Sequence, residues 1–338
     1  MISLISKDEK FFIAGGSGMA GKSICKVLLN NGYGNKNKNG IILKPNRDEL
    51  DLTDFQAVKE WFEIHKPTVV IIAAAKVGGI LANNSLPSSF LLENLKIQSN
   101  IIEISNIYNV KRLIFLGSSC IYPKFSAQPI REESLLSGPL ENTNQWYAIA
   151  KIAGIKLCEA MRTQYGLDAI CLMPTNLYGP GDNYDERNSH VLAALIRRFY
   201  EAKKKSLKEV SCWGSGQPLR EFMHVDDLGE SVLFVLKNWN PDSKNSFIDS
   251  NGNRLNYLNV GTQEEISIKS LAQLISKKIG YKGEIKWDLS KPDGTPRKLL
   301  NSERIQKMGW KPKIKFEDGI SKTIEEFKLK YRSGELKL

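Results

Sequence analysis

Phe11-Phe12-Ile13-Ala14-Gly15-Gly16-Ser17-Gly18-Met19-Ala20-Gly21 is an apolar run that passes straight into a glycine-rich turn. The first four residues read as a buried strand. Glycines at 15, 18 and 21 then give Gly-x-x-Gly-x-x-Gly, and Ile24, Val27 and Leu28 follow at helical spacing. Glycine permits a tight turn, lets a pyrophosphate approach the backbone and lets the helix sit close on the sheet. The helix N-terminus offers that anion N–H groups and partial positive charge. A glycine triplet alone is also an ordinary turn. A strand before it and a helix after it make residues Gly15, Gly16, Ser17, Gly18, Met19, Ala20 and Gly21 a dinucleotide-binding turn.

Working outward, Ile41-Ile42-Leu43 reads as a second strand and Glu49 to Asp54 as a third short strand with a helix cap. Val69 to Ala75 is a continuous apolar run of the kind buried in a parallel sheet. Phe90 to Tyr108 reads as a long helix, Arg112 to Leu116 as a strand, and Ala169 to Met173 as another, ending in Pro174-Thr175-Asn176-Leu177-Tyr178-Gly179-Pro180. Strand and helix thus alternate for about 175 residues, which predicts an α/β fold with a Rossmann-type, doubly wound parallel sheet and ligands at the strands' carboxyl ends. Beyond Gly179 the rhythm breaks. A basic helix over Val191–Lys205, a turn at Cys212–Gly216 and an apolar helix after Arg220–Asp227 come first. A strand at Leu258–Gly261, a helix over Ile268–Ile279, a cationic loop at Lys291–Lys298 and a helical tail from Lys313 follow. The expected division is an NADP-binding domain over 1–178, with 220–262 returning to it. Residues 179–219 and 263–338 then form a smaller, mixed α/β substrate-binding lobe.

The 338 residues carry a net charge of +11, which admits nucleic acid, an anionic membrane surface or a small polyanionic ligand as partner. The lysines are spread along the chain, and the dense run Lys203-Lys204-Lys205 with Lys208 lacks interleaved aromatics. No nucleic-acid partner is expected. Five scattered cysteines without a Cys-x-x-Cys pair predict reduced thiols, hence a cytoplasmic protein, and no metal site. The segment Met1–Lys10 lacks the apolar core of a signal peptide, and Val69–Ala75 is too short to span a bilayer, so no membrane is expected.

The chemistry lies in Gln145-Trp146-Tyr147-Ala148-Ile149-Ala150-Lys151, read with Gly117-Ser118-Ser119-Cys120-Ile121-Tyr122-Pro123. Tyr147 and Lys151 are one helical turn apart on one face. A neighbouring ammonium favours an ionised phenol, so the pair can pass a proton to or from a carbonyl oxygen. Ser118, at a strand end, can hydrogen-bond that same oxygen. The spacing alone says little, because Tyr200 and Lys204 repeat it without a serine strand. At the end of the second strand stands Lys44-Pro45-Asn46-Arg47, where an NAD-binding fold usually places an acidic residue for the ribose 2′-hydroxyl. A basic strand end suits a 2′-phosphate, with Arg47 as its main contact, and predicts NADPH even though Asp48 and Glu49 follow.

With these residues in place, the chain resembles the extended short-chain dehydrogenase/reductases, and within them the epimerase/reductases of GDP-4-keto sugars. The resemblance runs from Phe12 to Phe327. Its most specific pieces are Ala73–Ile80, Gly117–Lys124, Tyr147–Lys156, Pro174–Pro180, Asn188-Ser189-His190 and Ser290–Leu300. Three departures stand out: a longer Asn30–Gly40 loop, Gly181 where a histidine is common, and Ser17 where some members carry arginine. The resemblance implies conversion of GDP-4-keto-6-deoxy-D-mannose to GDP-L-fucose by double epimerisation beside the ketone and NADPH-dependent reduction, in a homodimer sharing a bundle of the Phe90–Tyr108 and Tyr147 helices. It implies Ser118, Tyr147 and Lys151 at the carbonyl oxygen, and Cys120 and His190 as the groups exchanging carbon protons. Cofactor contacts implied beyond the glycine turn and Arg47 are Leu116, Gly117, Ser118, Ser119, Lys151, Pro174, Thr175, Asn176, Leu177 and His190. Arg198, Trp213, Arg220, Asp293 and Lys298 are implied substrate contacts. Two alternatives stay open: a related GDP-4-keto-dideoxy sugar of the GDP-L-colitose type as substrate, and a non-catalytic NADP-binding module. Taken alone, Cys120 is a small buried hydrophobe, His190 a helix-capping residue and Arg198 a solvated helix position.

Overall fold

The computed structural model describes residues 3–336 apart from Lys36, Lys38, Arg187, Ser250, Asn251 and Pro292. The elements in chain order begin with β1 (Lys10–Ala14), α1 (Met19–Asn30), β2 (Ile41–Leu43), α2 (Phe55–His65), β3 (Val69–Ile72), α3 (Ile80–Ser85) and α4 (Pro87–Ile107). Then come β4 (Arg112–Leu116), α5 (Gln145–Tyr165), β5 (Ala169–Pro174), β6 (Asn176–Tyr178), α6 (Val191–Lys204), β7 (Glu209–Trp213), β8 (Leu219–His224) and α7 (Val225–Asn238). The last are β9 (Tyr257–Val260), β10 (Glu265–Ser267), α8 (Ile268–Ile279), β11 (Glu284–Asp288), β12 (Arg297–Lys298), α9 (Glu303–Lys307) and α10 (Phe316–Ser333).

Six parallel strands in the order β2-β1-β3-β4-β5-β9 form the central sheet. Both faces are covered, which explains why its strands are apolar at consecutive positions. Phe12 meets Val58, Phe62, Val70 and Ile101 on the face covered by α2, α4 and α5. Phe11 and Ile13 meet Ile24, Leu28, Val69 and Leu228 on the face covered by α1 and α7. Each such side chain contributes about 1.5–3 kcal/mol by leaving water. A third core of Tyr178, Leu192, Ile196, Phe199, Phe222, Leu271, Ile275, Ile324 and Phe327 joins α6, α8 and α10 to β6 and β8. This core stands beyond the carboxyl ends of the central strands, because β6 follows β5 directly and pairs with β8.

Three local expectations need correction. Glu49–Asp54 is not a strand, because its polar side chains take the backbone N–H groups that a sheet partner would need. Asp51 accepts from Thr53 at 2.9 Å, Asn46 from Asp48 at 2.8 Å, and Asp54 caps α2 at Ala57. The stretch expected as a turn from Cys212 starts inside β7, which pairs in parallel with β11, and only residues 214–216 turn. Arg220–His224, expected only as a lead-in, is strand β8, flanked by β10, β12 and β6. These pairings join residues far apart in the chain, where local pattern carries no signal. No described helix is long and apolar enough to cross a membrane, and the described residues contain no group of three or more metal-ligating side chains.

Candidate active site

The chain leaves β1 to one side for β2 and to the other for β3, and ligands bind where strand order reverses in this way. Gly15 turns there at φ +79°, and a Cβ on it would stand 2.7 Å from the backbone nitrogen of Ala74 after β3. Only glycine lets the two turns meet. A Cβ on Gly21 would stand 2.1 Å from Gly15 O, so α1 sits directly on the turn, and its first residues carry no side-chain cap at Gly18. Ser17 and Gly18 are exposed at that helix end. A close-set glycine turn with an uncapped helix N-terminus fits a dinucleotide pyrophosphate. Lys44 starts beside Gly16, where an added Cβ would stand 2.5 Å from Lys44 Cβ, and Arg47 is exposed in the next turn. The nearby carboxylate of Glu49 folds back to accept the Asn46 N–H at 2.7 Å. The second strand end therefore presents cations, and Lys44 lies closer to the glycine turn than the sequence alone conveys.

The strand ends β4 and β5 complete this side. Gly117 N–H donates to Leu172 O at 2.9 Å, Ser119 is buried, and Pro174 ends β5 opposite Val260. Thr175 and Asn176 donate to the Glu221 carbonyl at 3.2 and 2.8 Å, and Leu177 follows in β6, half-buried. These bonds tie the end of β5 to β8.

Ser118 follows β4, and its hydroxyl lies close enough to the Tyr147 phenol to favour its ionised form. Burial raises the Tyr147 phenol pKa most, Cys120 adds to the rise, and the Ser118 hydroxyl opposes it. Lys151 is buried, donates to the Leu116 carbonyl at 2.8 Å, and lies 4.5 Å above the Phe115 ring and 5.9 Å from the Tyr147 ring centre. Burial pushes its ammonium down to about 7, with Cys171 and Cys158 opposing. The sequence predicts that Lys151 lowers the Tyr147 pKa. Here the ammonium is turned onto Leu116, and the phenol stays a protonated donor at neutral pH.

Cys120 lies in a 3-10 turn over Ser119–Ile121, and its N–H donates to Ser118 Oγ at 3.2 Å. Two donors meet its sulfur: Asn144 Nδ2 at 3.4 Å and Lys298 Nζ at 3.6 Å. Lys298 is opposite Arg220 in the parallel β12–β8 pair, so both side chains leave the same face. Burial lowers the Arg220 pKa, while Cys120, Asp293 and Glu141 favour its charge. His190 immediately precedes α6 and makes no capping bond. Its loop rests on the turn after β3: Gly79 N–H donates to Asn188 O at 3.2 Å, and a Cβ on Gly79 would stand 2.8 Å from Ser189 O. His190 is exposed by surface area; desolvation by the atoms around it, and then the Lys298 charge, lower its pKa, which favours a neutral ring at pH 7. Lys298 thus faces both Cys120 and His190.

The remaining predicted contacts form the rim. Trp213 ends β7, 48% exposed, with Lys291 Nζ 5.8 Å from its ring centre. Asp293 accepts from the Ser215 N–H and hydroxyl at 2.7 and 2.8 Å, and its carbonyl accepts from Arg220 at 3.4 Å. Arg198 donates to Ser211 O at 2.7 Å and so braces β7, with its charge favouring the Cys212 thiolate. Pro292, in the cationic loop, lies outside the described residues. Asn144 is missed by sequence reasoning, its only signal being its place at the start of the Tyr147 helix.

Residues 11–248 match the model of the NAD dependent epimerase/dehydratase family. The chain is 50% identical to probable GDP-L-fucose synthase 1 of Oryza sativa subsp. japonica over 95% of this chain and 93% of the relative. It is 47% identical to the GDP-L-fucose synthase of Escherichia coli (strain K12) over 94% of this chain and 96% of the relative. A solved GDP-L-fucose synthetase from Naegleria fowleri bound to NADP superposes with a TM-score of 0.83 at 27% identity, covering 97% of each chain. A parallel sheet that reverses at a glycine turn, a Ser118–Tyr147 pair at its carboxyl edge and these likenesses agree, and the chain belongs to the NAD dependent epimerase/dehydratase family, among the extended short-chain dehydrogenase/reductases.

Proposed function

We propose that this protein converts GDP-4-keto-6-deoxy-D-mannose to GDP-L-fucose, epimerising the two carbons that flank the ketone and then reducing the ketone. The observation that carries this reading is Cys120 Sγ, 3.6 Å from Lys298 Nζ and one turn from the Ser118–Tyr147 pair. A simple ketoreductase needs only Ser118 and Tyr147, whereas moving protons on carbon needs further acid–base groups beside them. The relatives named GDP-L-fucose synthase, at 47 and 50% identity, support the substrate. In this reading Ser118 and Tyr147 hold the carbonyl oxygen and its proton. Cys120 removes a proton from carbon, aided by the Lys298 cation. His190, held mostly neutral, gives up a proton readily once it carries one, as return of a proton to carbon requires. Arg220 and Lys298 meet the diphosphate, with Trp213 and Asp293 on the rim and Arg198 holding β7 in place. Residues 179–219 and 263–338 serve as the substrate lobe, a reading supported by their separate core. The direct test is incubation with NADPH and each candidate keto sugar, followed by NMR of the product. GDP-L-fucose from the 6-deoxy-mannose substrate is expected, and preference for a dideoxy substrate contradicts the reading.

When bound, NADPH supplies the hydride that reduces the ketone. Residues 15–21, Leu116–Ser119, Lys151, Pro174–Leu177 and His190 would hold it, with Lys44 and Arg47 toward the 2′-phosphate. Charge-assisted bonds of about 1–3 kcal/mol correspond to about 5–150-fold in kcat/KM for NADPH over NADH. Lys44→Ala with Arg47→Ala is expected to erase most of that preference. Equal efficiency with both cofactors in the wild type, or an unchanged ratio in the double variant, contradicts the assignment.

The free state of all five cysteines supports a reducing, cytoplasmic setting. A homodimer through α4 and α5 is supported by the apolar side chains they expose: Leu92 at 51%, Trp146 at 37% and Ile149 at 39%. Light scattering at micromolar concentration is expected to give twice the chain mass of 38.0 kDa, and the single-chain mass contradicts it.

A further inference from the structure

β12 consists of Arg297 and Lys298 alone, paired in parallel with Leu219 and Arg220 of β8. Lys298 and Arg220 leave that pair on the same face, and like charges so placed push each other apart. A lysine stem is flexible, so an ammonium 3.6 Å from Cys120 Sγ needs its backbone held on both edges. On the edge away from β8 the partner is a side chain, that of Gln128. Its Nε2 donates to Arg297 O at 3.1 Å, and its Oε1 accepts the Leu299 N–H at 2.9 Å. Those two peptide groups flank Lys298, and a residue opposite Lys298 in a parallel ladder would bond the same two. Further along the chain, the backbone of Ile130 repeats the pattern around Leu300, donating to Leu299 O at 2.7 Å and accepting from the Asn301 N–H at 2.8 Å. The Gln128 amide therefore lengthens an isolated parallel bridge until it covers Lys298.

We propose that Gln128 is a positioning residue for carbon-proton exchange, its side-chain amide standing in for a strand beside Lys298 and so keeping the ammonium at the Cys120 sulfur. Gln128 and Cys120 belong to one segment, between β4 and α5. Buried Asn259 of β9 fastens that segment at two places. Tyr122 Oη donates to its Oδ1 at 2.6 Å, and its Nδ2 donates to Ile130 O at 2.9 Å. Gln128 Nε2 also donates to Ser126 O at 3.3 Å, which orients the amide. One segment thus supplies the sulfur and the clamp on the cation that faces it, although Cys120 and Lys298 are 178 residues apart. The assignment rests on Cys120 acting as the carbon base.

The expected effect is selective. In Gln128→Met the side chain keeps its length and loses both bonds, so Lys298 retains its charge but not its placement. A small misplacement of a reacting group is costly, and carbon-proton exchange is expected to slow by about 10–100-fold. Reduction of a ketone already epimerised relies on Ser118 and Tyr147, so its kcat should change by less than about threefold. Because Gln128 acts through Lys298, Gln128→Met is expected to add little to Lys298→Met. A general loosening of the loop would instead add its full effect in both backgrounds.

Iodoacetamide reads the contact without turnover, because the other four cysteines are buried and Cys120 is not. A cation beside the sulfur favours the reactive thiolate. Alkylation of Cys120 in the full chain at neutral pH, followed by mass spectrometry, is expected to be at least about fivefold slower in Lys298→Met and in Gln128→Met. The double variant should be no slower than Lys298→Met. Gln128→Glu keeps the acceptor for Leu299 but sets an oxygen against the Arg297 carbonyl, and it should slow alkylation as well. That second variant carries the test if thermal melting shows Gln128→Met to be unfolded. Deuterium exchange into the keto sugar is measured in parallel, with NADP+ in place of NADPH so that no reduction follows. Wild-type alkylation in Gln128→Met and Gln128→Glu, or an equal further loss when Gln128→Met is added to Lys298→Met, overturns the clamp. If alkylation falls as expected while exchange keeps the wild-type rate, the clamp stands and Cys120 leaves the carbon chemistry.

Discussion

Tyr147→Phe is expected to lower ketone reduction by about 10²–10⁴-fold, the usual contribution of a positioned proton donor. That corresponds to about 2.7–5.5 kcal/mol of barrier. The phenol lies beside Ser118 and, with its pKa raised by burial and by Cys120, stays protonated across the neutral range. Lys151 does not replace that proton, because it is turned onto the Leu116 carbonyl and burial leaves its ammonium at about 7. The ring itself is retained in the variant, so folding should be preserved. NADPH oxidation in single-turnover mixing reads the loss. A variant within about threefold of wild type, less than about 0.7 kcal/mol, removes Tyr147 from the proton-transfer role.

Cys120→Ser is expected to cut exchange of the carbon protons by about 10²–10⁴-fold while sparing slow reduction of the unepimerised ketone. An alcohol is a far weaker base than a thiolate near neutral pH, so the carbon-proton step fails first. The sulfur meets two donors, Lys298 Nζ at 3.6 Å and Asn144 Nδ2 at 3.4 Å, an arrangement suited to negative charge on sulfur. Lys298→Met tests that directly. A charge-assisted bond of about 1.5–3 kcal/mol predicts about 10–150-fold slower exchange, with a smaller effect on NADPH oxidation from pre-epimerised substrate. Deuterium followed by NMR in heavy water separates the two steps. Wild-type exchange in Cys120→Ser makes Cys120 a packing residue and places the base elsewhere.

The central sheet is legible in the sequence because its physics is local. A strand buried on both faces must be apolar throughout, as Phe11–Ala14 and Val69–Ile72 are, and a glycine turn before a helix has few other uses. Tyr147 and Lys151 are legible for the same reason, being one helical turn apart. What stays hidden depends on pairing across the chain. Glu49–Asp54 has the apolar alternation of a strand, but Asn46, Asp51 and Asp54 claim the backbone N–H groups first. The approach of Lys298 to Cys120 spans 178 residues and follows from the two-residue pairing of β12 with β8, which no sequence period announces. The bond from Gly181 to Glu326 spans 145 residues. Gly78-Gly79 does carry a visible signal, yet only the structure gives it a use, as the seat for the segment ending at His190. Arg198, implied as a substrate contact by the resemblance alone, lies against β7 through its bond to Ser211 O, a placement no sequence period announces.

The most direct measurement incubates the wild-type protein with NADPH and GDP-4-keto-6-deoxy-D-mannose in heavy water and analyses the product by NMR. GDP-L-fucose carrying deuterium at both carbons that flanked the ketone is the expected product. A product reduced at the ketone but with protium and the original configuration at both carbons contradicts it. That result would leave Cys120, Lys298 and His190 without the chemistry assigned to them.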